Sequence, residues 1–497
     1  MTSANELRAR LDALSPDRRE LVEKMLLARR AAGGGIPQRD RSRPAPLAPP
    51  QRRLWFMDQL APGSPVYNAI VAVRVDGPLD LAVVRRVMER IVARHEVLRT
   101  VFRSVDEMTA DVSQVVLDDW QLSFEIVSAC GADAHERLVD GVRLLQEFGR
   151  RPYDLAVDLP LRIIAVAVGD DCHLLGFGEH HIAFDGWSDE IMFTELAAGY
   201  AAEIAGTGWA PEPMVVQYAD VAAWLQDRAP DARRESYWQR QLAGAPHAVE
   251  LPVDRPHPDT PRYRGVHVPM RIDGALPDLD SLRVAERCTS FMVLSATLAG
   301  AVYRWSGCRE FVLGTPFANR NHSVIEPLIG FFSNTLPLRF TVDGGESFRA
   351  LARQSRALCI EAFQHQDVAF ERIVELSRQP RDRRRNPVFQ VNIRVQQGGP
   401  AVPDLVGLTT SAVDVDLGFA RFDLAVDLSV TRTGITGYCE YNSDLFDPAT
   451  IDRFIDWSQQ FIADCLARPD IPLRDLRFGP QPVGVRAGRR RAGGGAP

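Results

Sequence analysis

Glu179-His180-His181-Ile182-Ala183-Phe184-Asp185-Gly186-Trp187-Ser188 is the stretch on which the reading of this chain turns. Ahead of it, Leu174-Leu175-Gly176-Phe177-Gly178 is an apolar run of strand length. Behind it, Ser188 has the chemistry of a helix cap, the following turn is acidic (Asp189, Glu190), and Ile191, Met192 and Leu196 continue apolar. Two adjacent histidines therefore stand where a strand gives way to a helix. The positive end of a helix disfavours imidazolium, so a nearby imidazole should stay neutral and basic. That state suits proton transfer near neutral pH. Taken alone, a histidine pair is more often hydrogen-bonded structure than catalytic machinery. A metal site has less support, because His181 and Asp185 share a helical spacing but no third ligand stands at a familiar one, so no metal is expected.

Working outward, Leu161 to Val168, a Gly169-Asp170-Asp171 turn and Cys172 to Phe177 read as a hairpin that delivers the histidines. Upstream, Leu47 to Leu60 reads as an amphipathic helix, and Ile70 to Val75 alternates as a strand. Asp80 then caps a helix carrying Val84, Val87, Met88 and Ile91. Downstream, Leu251 to Gly265 is a proline-rich connection, and Phe291 to Trp305 is apolar enough to be a buried helix. Phe311 to Pro316 reads as a strand ending in a turn, followed by Asn319-Arg320. Leu424 to Val430 and Ile435 to Tyr441 make a second hairpin, and Asp447-Pro448 opens a helix with Ile451, Phe454, Ile455 and Phe461 inward. His365 and the Arg383-Arg385 run read as a packed histidine and a solvated basic face.

At 497 residues the chain exceeds what one core usually supports, so two lobes are expected. A hydrophobic content of 45% and a charged content of 25% are those of a globular protein. The net charge of -7 argues against a nucleic-acid partner. The 7 cysteines are scattered without CxxC spacing, which points to reduced thiols and a cytoplasmic setting. No apolar run is long enough to cross a bilayer, so no membrane partner is expected. Residues 1–46 form a leader with two amphipathic helices (Leu7, Leu11, Leu14, then Leu21, Val22, Met25, Leu26), ending in glycines and a Pro/Arg-rich linker. Partner docking and packing on the chain itself fit that leader equally. The Gly-, Pro- and Arg-rich tail, residues 476–497, is expected to be disordered.

The order His-His-x-x-x-Asp-Gly-Trp-Ser resembles the signature of nonribosomal peptide synthetase condensation domains, members of the chloramphenicol-acetyltransferase-like superfamily. Six further motifs of that family follow the same order. Leu47 to Leu60 is similar to the opening motif, Arg94-His95-Glu96-Val97-Leu98-Arg99-Thr100-Val101-Phe102 to the second, and Val216 to Trp224 to the fourth. Ile329-Gly330-Phe331-Phe332-Ser333-Asn334 is similar to the fifth, His365 to Glu371 to the sixth, with Ala369 where proline is common, and Arg381 to Val391 to the seventh. The resemblance implies an α/β fold of two such lobes, residues 47–225 and 226–475, set as a V-shaped pseudo-dimer around a central tunnel. It further implies aminolysis of a carrier-bound acyl or aminoacyl thioester to an amide. His181 is then the base or positioning group, His180 and Gly186 shape the loop, and Asp185 forms a structural ion pair with Arg320 rather than a proton relay. No cofactor is expected to be bound; phosphopantetheine arrives on acyl or peptidyl carrier proteins acting in trans. The sequence carries no adenylation, carrier or thioesterase signature, so it reads as a free-standing condensation enzyme or one module of a synthetase. Two other readings remain: an acyltransferase using acyl-CoA or a small soluble amine or alcohol, and a non-catalytic platform that binds carriers.

Overall fold

The computed structural model describes residues 35–104, 112–229, 231–380 and 382–479. The expected leader helices and the tail beyond residue 479 lie outside the described residues. From the amino end come β1 (Ala45–Pro46), α1 (Pro49–Leu60), β2 (Asn68–Asp76), α2 (Leu81–Arg94), β3 (Thr100–Ser104), β4 (Val112–Val116), β5 (Ser123–Ser128), α3 (Ala134–Gly149), β6 (Leu161–Gly169), β7 (Cys172–His180), α4 (Gly186–Ile204) and α5 (Tyr218–Asp227). The second half contains α6 (Ala232–Leu242), β8 (Gly265–Ile272), α7 (Leu276–Glu286), α8 (Ser290–Ser306), β9 (Glu310–Phe317), β10 (Asn334–Thr341), α9 (Phe348–Gln364), α10 (Phe370–Ser377), β11 (Val391–Gln397), β12 (Thr409–Val413), β13 (Leu424–Val430), β14 (Ile435–Asn442) and α11 (Pro448–Ala467).

β7 sits in the middle of a five-stranded sheet ordered β12-β2-β7-β6-β5, antiparallel to both neighbours. Both of its faces are covered, which is why its sequence is an unbroken apolar run and not an alternating one. On one face α3 approaches so closely that a Cβ at Gly176 would lie 2.6 Å from Leu145, and one at Gly178 would lie 2.9 Å from Phe148. On the other face Phe177 meets Phe193 of α4 edge-on, with ring centroids 5.1 Å apart. The glycines admit one helix and the phenylalanine between them holds the other.

The second lobe is a six-stranded sheet ordered β10-β9-β11-β13-β14-β8. Its core centres on α8, whose apolar residues Val293, Leu294, Ala296, Ala299 and Ala301 are all fully buried. Two pieces of the second half serve the first lobe. Strand β12 adds to the edge of the five-stranded sheet by pairing antiparallel with β2, Thr410 opposite Val75. Ile325, Leu328, Ile329 and Phe332, from the segment between β9 and β10, are buried in the first lobe's core. The sequence reading, which assigned everything after residue 225 to the second lobe, contains neither feature.

Candidate active site

The histidine loop is fastened by three separate segments. The N–H of His180 donates to the carbonyl of Pro160 and that of His181 to Tyr67, each at 3.0 Å. From α1, the buried Gln51 donates its Nε2 to the carbonyl of Ile182 at 2.9 Å, while its Oε1 accepts from the N–H of Ala48 at 3.1 Å. The amphipathic helix α1 therefore fixes the backbone next to the histidines.

The two imidazoles are held in opposite tautomers. His180 is 2% exposed, and its Nδ1 accepts from the N–H of Ile182 at 3.1 Å. Its lone pair is thus occupied, and the hydrogen resides on Nε2. His181 is only half-buried, and its Nδ1 lies 3.4 Å from the carbonyl of Phe184. A carbonyl can only accept, so Nδ1 carries the hydrogen and Nε2 keeps a bare lone pair. Burial lowers both histidines, His180 to about 3 and His181 well below its ordinary value. For His181 the guanidinium of Arg421 adds to this, the Phe184 bond opposes it, and Arg394 contributes further. Both rings are neutral near pH 7, with burial rather than the helix end as the main cause.

Asp185, not Ser188, caps the helix. Its Oδ1 accepts from the N–H of Ser188 at 3.0 Å and from Ser188 Oγ at 2.8 Å, so α4 begins at Gly186 and Ser188 lies within the first turn. Aspartate reaches the third N–H and outcompetes the serine that local pattern suggests. The same oxygen meets Nη2 of Arg320 at 3.0 Å, with both side chains 2% exposed. Asp185 Oδ2 accepts from the backbone N–H groups of Phe332 and Ser333 at 3.0 and 3.2 Å. Arg320 in turn donates Nη1 to the carbonyls of Ile325 and Leu328 at 2.8 and 2.6 Å. Ser188 Oγ also lies 3.0 Å from the carbonyl of Gly330, so its one hydrogen is shared between that oxygen and Asp185 Oδ1, and it accepts from the N–H of Gly330 at 3.1 Å. A carboxylate with this many donors has no free lone pair for a proton relay; it bolts the histidine loop to the Gly330–Ser333 segment of the other half. Gly330 is required there, because a Cβ would lie 2.0 Å from the Tyr218 ring.

The facing wall comes from the second sheet. Arg394 on β11 pairs with Asp427 on β13, and Tyr438 on β14 donates to the same carboxylate at 3.1 Å. Arg394 Nη1 stands 3.8 Å from where a Cβ on Gly186 would be, so the glycine leaves room for the guanidinium beside the loop. His181, Asp189 and Arg394 are each half-buried, so solvent still reaches all three. Sequence reading gave Ser188 a different role and Gln51 none of its own, although both, like Gly330, lie inside motifs; it missed Arg394 and Tyr438, which lie in none. Of the other candidates, His365 stacks on Tyr237 at 4.0 Å, while Arg384 and Arg385 pair with Asp382 and Glu250. All 7 cysteines are free. Among the described residues no cluster of His, Cys, Asp or Glu could hold a metal ion, and no helix is long and apolar enough to cross a membrane.

The family model described as Condensation domain matches residues 42–481. The phosphinothricin tripeptide synthetase PhsC of Streptomyces viridochromogenes is 38% identical over 460 residues, which cover 90% of this chain and 42% of that protein. The probable non-canonical nonribosomal peptide synthetase CymA of Salinispora arenicola is 36% identical over 468 residues, 90% of this chain and 6% of that protein. The chain thus spans less than half the length of these curated relatives. Among solved structures, the X-domain from teicoplanin biosynthesis superposes with a TM-score of 0.79 at 28% identity, covering 89% of this chain and all of that one. A mutant of the starter condensation domain of rhizomide synthetase RzmA, in complex with C8-CoA, shares the fold with a TM-score of 0.75 at 21% identity, over 88% of this chain and 98% of that one. With the histidine motif, the two sheets and these matches in agreement, the chain belongs to the condensation-domain family of nonribosomal peptide synthetases.

Proposed function

We propose that this domain condenses a thioester-linked acyl or aminoacyl donor with an acceptor amine to give an amide, and that His181 acts on the attacking amine. The observation that carries this reading is the bare Nε2 of His181, left free because Nδ1 is committed to the Phe184 carbonyl. The amine attacks the thioester carbonyl, the C–S bond breaks, and the thiol leaves with one proton while the amide nitrogen gives one up. A neutral imidazole accepts the ammonium proton of the tetrahedral intermediate or holds the amine in line for attack. His180 lacks that capacity, since its lone pair is occupied. The thioester is already activated, so most of the rate comes from positioning two tethered substrates, and no resident cofactor is needed. The donor and acceptor arrive on phosphopantetheine arms of carrier proteins that act in trans, in the cytoplasm.

The X-domain, to which this chain is similar, has been solved in complex with OxyB, which favours a platform as the second reading. The two separate in one experiment: single-turnover amide formation from carrier-loaded donors, alongside CoA-linked donors. Product from carrier-loaded donors supports condensation. Turnover of CoA thioesters alone refutes the carrier assignment, and carrier binding without product refutes catalysis.

A further inference from the structure

Between β12 and β13 the chain crosses from the five-stranded sheet back to the six-stranded one, through residues 414–421. Arg150, just beyond α3, grips this stretch from the first lobe, its Nε donating to the carbonyl of Leu417 at 2.8 Å. On the other side the stretch lies along β8. There Asp416 Oδ2 accepts from the N–H of His267 at 3.1 Å, and the carbonyl of Gly418 from that of Gly265 at 2.9 Å. The His267 ring stands at this junction with a carboxylate at each nitrogen. Its Nε2 meets Glu440 of β14 at 3.1 Å, while its buried Nδ1 faces Asp416 Oδ1 at 4.0 Å and has no hydrogen-bond partner. Carboxylates only accept, so a neutral ring satisfies one of them and turns a bare lone pair toward the other. Imidazolium, with a hydrogen on each nitrogen, suits both.

The neighbouring groups favour that charge. Tyr438 of β14 stacks on the ring with centroids 4.4 Å apart, and it stays neutral because its hydroxyl donates to Asp427. Burial opposes protonation, but the Glu440 bond and the charges of Glu440, Asp416 and Asp414 outweigh it and hold the imidazole above its ordinary value.

We propose that His267 is the pin of a pH-sensitive clasp, which as imidazolium ties the crossing stretch to β14 and as neutral imidazole lets it loosen. Deprotonation leaves Nε2–H on Glu440, whereas Asp416 keeps only the backbone N–H groups of His267 and Gly418. The contribution of the clasp is complete below the free-histidine value of about 6.5 and is lost as pH rises through the higher value of the closed clasp. Because β12 runs directly into this stretch, loosening it loosens the strand that closes the edge of β2. The clasp stands on its own contacts and is independent of the condensation reading.

Two readouts on the full chain test it: NMR of isotope-labelled histidine rings, and amide hydrogen exchange in peptides covering β12 and residues 414–421. His267, assigned by the signal lost in His267→Gln, should titrate above 6.5. Exchange in those peptides, corrected for its intrinsic pH dependence, should speed up by at least about threefold between about pH 6 and 8, the factor for half a pH unit between closed and free imidazole. In His267→Gln, whose amide can still donate to Glu440, exchange should stay fast at every pH. Glu440→Gln should lower the His267 titration and shrink the pH effect, so the test holds even where His267→Gln does not fold. Titration at or below 6.5, exchange that ignores pH, or a pH effect that survives His267→Gln overturns the proposal. An acceleration spread equally over the whole chain does so too, since it marks global unfolding.

Discussion

Two arginine–aspartate pairs flank the histidine loop, and they are built to different ends. Arg320–Asp185 is sealed, both partners 2% exposed and every carboxylate oxygen engaged by the loop, the helix and the facing segment. Arg394–Asp427 is open, with side-chain exposures of 43% and 13% and one further bond from Tyr438. The sealed pair joins the two halves of the chain and sets where the histidines stand. The open pair holds a guanidinium that solvent reaches beside the histidine loop. Burial, more than ion pairing, decides which pair is scaffold and which is surface.

The largest effect should come from breaking the sealed pair. Asp185→Ala strands a buried guanidinium and removes the cap of α4, and is expected to cost about 3–5 kcal/mol. Urea unfolding measures this, and native stability in the variant would mean the pair is ornament. Next, His181→Ala should keep its melting temperature and lose about 10²–10⁴-fold in single-turnover amide formation. Wild-type turnover would remove the catalytic assignment. His180→Ala should reverse the pattern, losing stability first, because the N–H of Ile182 is left without its acceptor.

The fourth expectation is pH-dependent. His180 is neutral when folded, its value held at about 3 against an ordinary 6.5. The unfolded chain takes up the proton once pH drops below about 6.5. Its contribution is therefore intact above that value and is lost as pH falls from 6.5 towards 3, by up to about 1.4 kcal/mol per pH unit. Unfolding followed from about pH 7.5 to 5 should show the decline, and His180→Asn, which can still accept from Ile182, should flatten it. An unchanged slope would place the titrating group elsewhere. The smallest effect belongs to the open pair: Arg394→Met should change stability by less than about 1 kcal/mol, its consequence falling on substrate KM instead. A loss as large as that of Asp185→Ala would erase the contrast between the two pairs.

Local pattern made much of this legible. The apolar run before His180, the Gly169–Asp171 turn and the Asp80 cap each correspond to elements formed by nearby residues. The Asp185–Arg320 contact was reached from family resemblance, since 135 residues separate the partners and no periodicity links them. What stayed hidden were long-range polar bonds by ordinary residues. Gln51 reaching Ile182 and Ser188 bridging to Gly330 depend on two halves of the chain meeting. The helix start was misread because serine and aspartate both cap well, and only the three-dimensional reach of Asp185 selects between them. Strand β12 was missed for a further reason: Thr-Thr-Ser-Ala-Val is short and mostly exposed, so it carries no apolar alternation to read.

That strand bears on how such domains are cut and recombined. Because Thr409–Val413 closes the edge of β2 from the other half of the chain, the first lobe is not a contiguous stretch of sequence. A graft ending near residue 225 would leave β2 as a bare edge strand, free to pair with another molecule. A chimera that exchanges the histidine lobe alone needs the matching β12 from the same parent, so the natural joint for swapping substrates lies outside the domain, not through its waist.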